Sequence, residues 1–420
     1  MPAFAVRTIG CKVNQYETQR LVEQLEALGW RRCVNGGTAD LCIVNTCTVT
    51  EVADAKSRQA LRRFRREHPG ALVVAAGCYP ERDRAALEAM PEVDRALDNA
   101  QKARLPEALG LVEECDTRTP SGISRFAGHA RAFLKVQDGC NRFCSYCIVP
   151  YVRGRSRSRP MREIVAEARR LVENSYREIV LTGVHLGDYA DGERTLADLV
   201  RALDGIDGLL RLRVSSIDPN DVTAELLDAI ASGRAACPHL HVSLQSGSTS
   251  VLERMNRGYT REAYLEMVER AQATIPDLAV STDLVVCFPG ETDEEFADSL
   301  DVIETVGFSK VHVFPFSSRP GTAAAERTDV VAHAVVKDRL ARVGEVAEAA
   351  ARRCRARLVG RRVEILVEGE TKDGRFVHGF TPNYLKTLTE KDGVVAGDLQ
   401  PVRIASYDAT SLLGHAEVGR

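Results

Sequence analysis

The sequence predicts an α/β protein in three parts: a doubly wound parallel sheet at the amino-terminal end, a central partial (β/α)6 barrel and a small terminal β-barrel. Three observations carry that reading. Apolar runs of strand length alternate with amphipathic helical patterns through two separate stretches. A polar stretch from Glu113 to Gly128, with Pro120, Ser121 and Gly122, divides the two series. Beyond about Gly360 the helical period gives way to the twofold alternation of strands. With 420 residues, 44% hydrophobic and 27% charged, the chain can build several cores and is neither disordered nor fibrous. Met1 to Gly10 shows no basic segment followed by an apolar core, and Ala71 to Ala76 is far too short to cross a bilayer. A cytoplasmic protein without membrane association is therefore expected. The net charge of −3 argues against a protein that coats nucleic acid indiscriminately, so a polyanion has to be met locally.

In the first part, Ala3 to Ile9 reads as a strand and Tyr16 to Leu28 as a helix with Leu21, Val22, Leu25 and Leu28 on one face and Gly29 as its stop. Leu41 to Asn45 is a buried strand, followed by a helix to about Arg66, the break His68-Pro69-Gly70, a third strand at Ala71 to Ala76 and a helix from near Pro80. Cys11, Cys47 and Cys78 fall just past the three strands, one βα unit apart. Parallel strands point the same way, so these thiols converge on the sheet edge where open α/β sheets bind ligands.

In the second part, strands are expected at Ala132 to Val136, Glu178 to Leu181, Leu210 to Ser215, Leu240 to Leu244, Leu278 to Val286 and Val311 to Phe316. Helical patterns such as Met161 to Glu173 and Arg261 to Ala273 separate them, giving six βα units with chemistry on the loops after the strands. Thr182, His185, Ser216, Asp218, Gln245, Ser246 and Asp283 lie there, where turn and capping roles compete with ligand binding. In the last part, Val363 to Val367, the turn Asp373-Gly374, Arg375 to Phe380 and Leu399 to Ile404 read as a small all-β module.

Twelve cysteines without an export signal point to metal or redox chemistry rather than disulfides. Cys140, Cys144 and Cys147 crowd the loop after the first strand of the second series. Three thiolates are one short of a closed zinc site, whereas three cysteines on a four-iron cluster leave one iron open to a substrate or cofactor. A structural zinc with a fourth ligand from elsewhere is the alternative.

The stretch CNRFCSYC from Cys140 to Cys147 resembles the signature of radical S-adenosylmethionine enzymes. With Cys11, Cys47, Cys78 and the terminal module, the whole chain resembles the methylthiotransferase family. That resemblance implies a cluster-bearing domain over 1–112, a linker over 113–128, a radical SAM barrel over 129–355 and an RNA-binding TRAM β-barrel over 356–420. It further implies that Cys140, Cys144 and Cys147 hold one 4Fe-4S cluster and Cys11, Cys47 and Cys78 a second. Tyr146, Thr182, Ser216, Gln245 and Asp283 are the expected contacts to S-adenosyl-L-methionine, and a small reductant protein such as flavodoxin or ferredoxin is implied. Cys33, Cys42, Cys115, Cys237, Cys287 and Cys354 match no family ligand position and are expected to pack in cores. Cys287, in DLVVCFPGET, stands where the family pattern usually has Gly, and local repacking is expected there.

The family reaction replaces an unactivated C–H by C–SCH3, which a side-chain base cannot initiate because the proton lacks useful acidity. The run GCKVNQYE from Gly10 to Glu17 resembles the tRNA subgroup acting on threonylcarbamoyladenosine beside the anticodon. The subgroups acting on isopentenyladenosine or on a ribosomal-protein aspartate are alternatives, and a non-catalytic iron-sulfur or RNA-binding protein is a different class. Lys56 to Arg66 carries six basic and no acidic side chains, Arg153 to Arg162 five Arg and Arg352 to Arg362 six Arg. These runs are candidates for phosphate contacts, with solvated helix faces as the alternative. Phe376, Phe380 and Tyr384 are candidates for stacking on loop bases.

Overall fold

A computed structural model describes residues 1–33, 37–112, 122–391 and 393–417. The chain forms two compact units: Met1–Ala127 with Asp138–Arg157 and Ser317–Ala325, and Gly128–Gln137 with Ser158–Phe316 and Glu326–Arg420.

The first unit holds a parallel sheet of β1 (Ala3–Thr8), β2 (Arg31–Arg32), β3 (Leu41–Thr46), β4 (Leu72–Gly77) and β5 (Arg95–Leu97) in the order β2-β1-β3-β4-β5. The expected strands form β1, β3 and β4. The two short outer strands carry too few residues to show a period. Along β3, Leu41 and Ile43 face one core with Leu21, Val22, Leu25 and Leu105, while Cys42 and Val44 face the other with Leu61, Phe64, Tyr79 and Leu87. Both faces are therefore covered, which is the doubly wound arrangement. Helix α1 (Lys12–Ala27) follows β1, α2 (Glu51–Glu67) follows β3 and α3 (Cys78–Glu88) follows β4. Strand order reverses between β1 and β3, the crevice where such sheets take ligands.

The expected linker differs from the structure. Its residues 113–121, Cys115 included, lie outside the described residues. The remainder is anchored, because Ile123 and Phe126 are buried and the backbone N–H groups of Ser124 and Arg125 donate to the Glu23 carboxylate on α1.

In the second unit the six expected barrel strands are present as parallel neighbours. They are β6 (Ala132–Lys135), β7 (Glu178–Thr182), β8 (Arg211–Val214) continued by β9 (Ser216–Ile217), β10 (His239–Val242), β11 (Ala279–Val286) and β12 (Lys310–Pro315). The third strand breaks at Ser215, so β8 pairs with β7 while β9 pairs with β10. The terminal module is a closed antiparallel-rich barrel of β13 (Arg362–Glu370), β14 (Phe376–Phe380), β15 (Lys386–Glu390), β16 (Leu399–Tyr407) and β17 (Leu412–Ala416), ordered β13-β14-β15-β17-β16. Ile365, Val367, Val377, Val402, Ile404 and Leu412 fill it, and Asp373-Gly374 makes the expected turn with Gly374 at φ 69°.

Candidate metal centre and cofactor loops

Cys11, Cys47 and Cys78 all lie at the carboxyl end of the first sheet. Cys11 is the N-cap of α1 and its thiol caps nothing, Cys78 opens α3, and Cys47 lies three residues before the Thr50 N-cap of α2. Helix amino termini favour thiolates. Cys47 and Cys78 are buried and Cys11 is exposed. Burial pushes the Cys47 thiol up to about 12, with Cys11 and Cys78 adding to the rise. Gly10 turns the chain into Cys11 at φ +108°, and a Cβ there would stand 2.7 Å from the Cys47 Cβ and 3.0 Å from its sulfur. Among the described residues no three His, Cys, Asp or Glu side chains converge closely enough to grip a single metal ion.

Beneath the first trio runs a polar network that sequence reasoning missed. Asn14 Nδ2 donates to the carbonyls of Ile9 (2.7 Å) and Thr46 (3.0 Å), the residues leading into Gly10-Cys11 and Cys47. Asn45 Nδ2 donates to the Asn14 carbonyl, and Lys102 Nζ donates to Glu17 Oε2 at 2.7 Å and Asn45 Oδ1 at 3.3 Å. One signal was present: an Asn following the apolar buried run Leu41–Val44 in β3 has to be hydrogen-bonded.

The second trio lies in the same unit. Cys144 is buried, while Cys140 and Cys147 are half-buried. The loop's root is closed by Cys140 N–H donating to the Gly154 carbonyl, and a Cβ on Gly139 would stand 2.0 Å from the Arg155 carbonyl oxygen. The helix Val149–Arg153 leaves Cys147 and packs Ile148 and Val152 against Cys78. Asn99 Nδ2 donates to the Val152 carbonyl at 2.7 Å and lies 3.9 Å from Cys78 Sγ. On the other side of the loop, Ala324 N–H donates to the Ser145 carbonyl, and Arg319 beside it is held by the buried Asp54 carboxylate at 2.7 Å. Tyr146 is half-buried in this loop.

The other expected cofactor contacts stand on the second unit. Thr182 ends β7 and is buried, Ser216 in β9 is exposed, and Gln245 and Asp283 are half-buried. Gln245 and Asp283 meet, since Gln245 N–H donates to the Asp283 carbonyl at 2.9 Å with Gln245 at φ 65°. The Asp283 carboxylate lies 3.1 Å from His241 Nε2, and His241 Nδ1 and His239 Nε2 share the Ser281 hydroxyl at 3.0 Å each. His185 is wedged between Asp188 (2.9 Å) and Asp221 (2.8 Å), Asp218 is paired with Arg257 at 2.6 Å, and Ser246 Oγ accepts from Ser248 N–H.

Cys42, Cys237 and Cys287 are buried, as expected, whereas Cys33 and Cys354 are half-buried and bond to the Thr38 and Gly307 carbonyls. Cys287 sits at φ 60°, a left-handed conformation that glycine adopts freely and that costs another residue about 1–2 kcal/mol. Its N–H is held by Glu291 Oε2 at 2.7 Å, and Glu291 in turn by Arg339 at 2.8 Å.

The candidate RNA contacts are partly engaged within the fold. Phe380 and Tyr384 are half-buried and stack at 4.8 Å, with Arg131 over both rings and Arg213 4.6 Å over Tyr384. Phe376 is half-buried. The basic runs are also partly spent within the fold. Arg153 is buried on Glu17, Asp138 and Asn14, Arg159 pairs with Glu167, and Arg355 with Glu348. Lys56, Arg62 and Arg66 remain exposed on α2, and Phe143 and Tyr151, edge-on at 5.7 Å, are exposed aromatics beside Arg155. The sequence run could not separate these because buried and solvated arginines have the same spacing.

Residues 134–303 match the radical SAM superfamily and residues 3–98 the uncharacterized protein family UPF0004. The chain is 43% identical to the threonylcarbamoyladenosine tRNA methylthiotransferase MtaB of Chlamydia pneumoniae, over 98% of this chain and 97% of that one. It is 35% identical to the protein of that name from Bacillus subtilis, over 96% and 94%. It is 33% identical to the tRNA-2-methylthio-N(6)-dimethylallyladenosine synthase of Pelotomaculum thermopropionicum, over 99% and 97%. Among solved structures, the radical S-adenosylmethionine methyltransferase TsrM of Kitasatospora setae shares the fold at a TM-score of 0.57 and 17% identity, covering 77% of each chain. With full-length relatives at this identity, one cysteine trio at strand ends and the other in the loop of a radical SAM barrel, the chain belongs to the tRNA methylthiotransferase family of radical S-adenosylmethionine enzymes.

Proposed function

We propose that the protein installs a methylthio group on carbon 2 of N6-threonylcarbamoyladenosine beside the anticodon of tRNA. The observation that carries this substrate is the full-length likeness, at 43% identity, to a relative named for that nucleoside. Cys140, Cys144 and Cys147 hold one 4Fe-4S cluster in this reading, and Cys11, Cys47 and Cys78 the other. Supporting it are the donor sets themselves, the helix amino termini beside the first trio and the side-chain-free edge that Gly10 leaves against Cys47. Bound there, the clusters supply one-electron cleavage of S-adenosylmethionine and a seat for the sulfur that is transferred.

The chain's own share is alignment and exclusion of water, because the target C–H offers no proton that a side chain could take. Tyr146, Thr182, Ser216, Gln245 and Asp283 are assigned to holding S-adenosylmethionine, with His241 orienting the Asp283 carboxylate. The terminal β-barrel is read as a TRAM-type RNA-binding module, the electron donor as a small flavodoxin or ferredoxin, and the compartment as the cytoplasm. No helix among the described residues is long and apolar enough to cross a membrane.

Mass spectrometry of nucleosides from bulk tRNA of cells lacking the protein tests the reading. Methylthiolated threonylcarbamoyladenosine should disappear and its unmodified parent accumulate. Loss of methylthiolated dimethylallyladenosine would instead give this chain the substrate named for the Pelotomaculum relative. An unchanged tRNA profile would overturn the RNA reading in favour of a ribosomal-protein aspartate or a non-catalytic role.

A further inference from the structure

We propose that Arg153 is a positioning residue that fixes the spacing between the two cysteine trios. The inference rests on the reading that both trios hold clusters, and it concerns what joins them. Arg153 ends the short helix that begins just after Cys147, and that helix packs on Cys78. Its side chain is buried and reaches back into the first trio's platform: Nη1 and Nη2 donate to the two Glu17 carboxylate oxygens at 3.0 and 3.2 Å, and Nη2 also donates to Asn14 Oδ1. Asn14 is the residue whose amide ties together the backbone leading into Cys11 and Cys47. Toward the second trio, Nη1 donates to Asp138 Oδ1 at 3.0 Å, and the same oxygen accepts the Gly139 N–H at the root of the Cys140 loop. One guanidinium therefore touches groups that orient both trios. Burial works against its charge, but Glu17, Cys78 and Asp138 together outweigh burial and keep it protonated. A planar five-donor fork suits this work and a lysine does not, since it offers one point of attachment where four acceptors are met.

Sulfur handed from one site to a carbon radical generated beside the other tolerates little error in alignment. Loosening the strut should therefore uncouple the two halves of the reaction before it abolishes either.

The test uses the full-length protein and its Arg153→Met and Arg153→Lys variants. In iron-free material, hydrogen exchange across 138–154 should rise about tenfold or more in Arg153→Met, and less in Arg153→Lys. In reconstituted material both clusters should still load and S-adenosylmethionine should still be cleaved. Methylthio product per cofactor cleaved should fall about tenfold, and magnetic coupling between the reduced clusters should weaken in electron paramagnetic resonance. Unchanged exchange, coupling and product ratio would overturn the proposal. Wild-type protein that loads only one cluster would overturn the cluster reading instead and leave the exchange result standing. Should Arg153→Met not fold, Glu17→Gln, which removes the charge facing Arg153 and keeps its shape, carries the same expectations.

Discussion

At Gly10 and at Gly139 a single methyl group would strike a cysteine loop. At Gly10 a Cβ meets the Cys47 side chain, on a backbone at φ +108° that L-residues avoid, whereas at Gly139 it meets the Arg155 carbonyl, which cannot yield. Gly10→Ala should leave about half the iron of reconstituted wild type, with cofactor cleavage intact. Gly139→Ala should lose the other half together with cleavage. Iron and cleavage assays on the two variants check this, and a Gly10→Ala protein with full iron would remove the first trio from the cluster assignment. Cysteine positions were legible from sequence because a thiol's chemistry announces itself. Asn14, Asn45, Glu17 and Lys102 were not, since ordinary polar residues become a platform only when burial and three separate strand ends converge on them.

Among the elements, the helix Asp293–Val306 shows how far a capping pattern can be read. Thr292 and Glu295 form a reciprocal capping box, visible in the sequence as Thr-x-x-Glu. Its stronger partner is remote, because Arg254 grips Glu295 with two bonds at 2.7 and 2.8 Å. Those hydrogen bonds, with that of Ser250, hold the Glu295 carboxyl down to about 2. The folded state thus binds fewer protons here than the unfolded one, so the contribution is complete above the free carboxyl pKa near 4.5 and is lost as pH falls toward 2. Glu295→Gln should cost about 1–2 kcal/mol at pH 7 and nothing comparable near pH 2. Denaturant unfolding at several pH values measures this, and a variant with the wild-type acid slope would contradict it.

At the scale of the molecule, the terminal barrel is tied to the central one by buried charge. Glu178 is fully buried, and although burial opposes its ionisation, Arg213 at 2.7 Å, Arg131 and Arg211 keep its carboxyl below the usual range. Arg211 and Arg213 also donate to the carbonyls of Glu364, Phe380, Thr381 and Pro382 in the terminal module. Truncation near Gly360 would strip those acceptors, hydrogen bonds to charged groups worth about 1.5–3 kcal/mol each, so it is a poor probe of RNA binding. Surface charge is the better probe. Replacing exposed Lys56, Arg62 and Arg66 by Gln should flatten the salt dependence of tRNA affinity by about one unit of log-log slope for each phosphate left unneutralised. A slope identical to wild type would take α2 out of the RNA interface.

Strand-helix alternation, the parallel sheet, the six βα units and the location of all six candidate ligand cysteines followed from local periodicity and from where a strand ends, because those are set by neighbours along the chain. Short outer strands, the break at Ser215, the anchored segment after residue 121 and the stacking of Phe380 on Tyr384 did not. Each depends on partners tens to hundreds of residues away. Arg153 marks the boundary most clearly: in the sequence it is one arginine of a basic run facing an imagined phosphate, and only tertiary burial between Glu17 and Asp138 decides that its charge is used inside the protein.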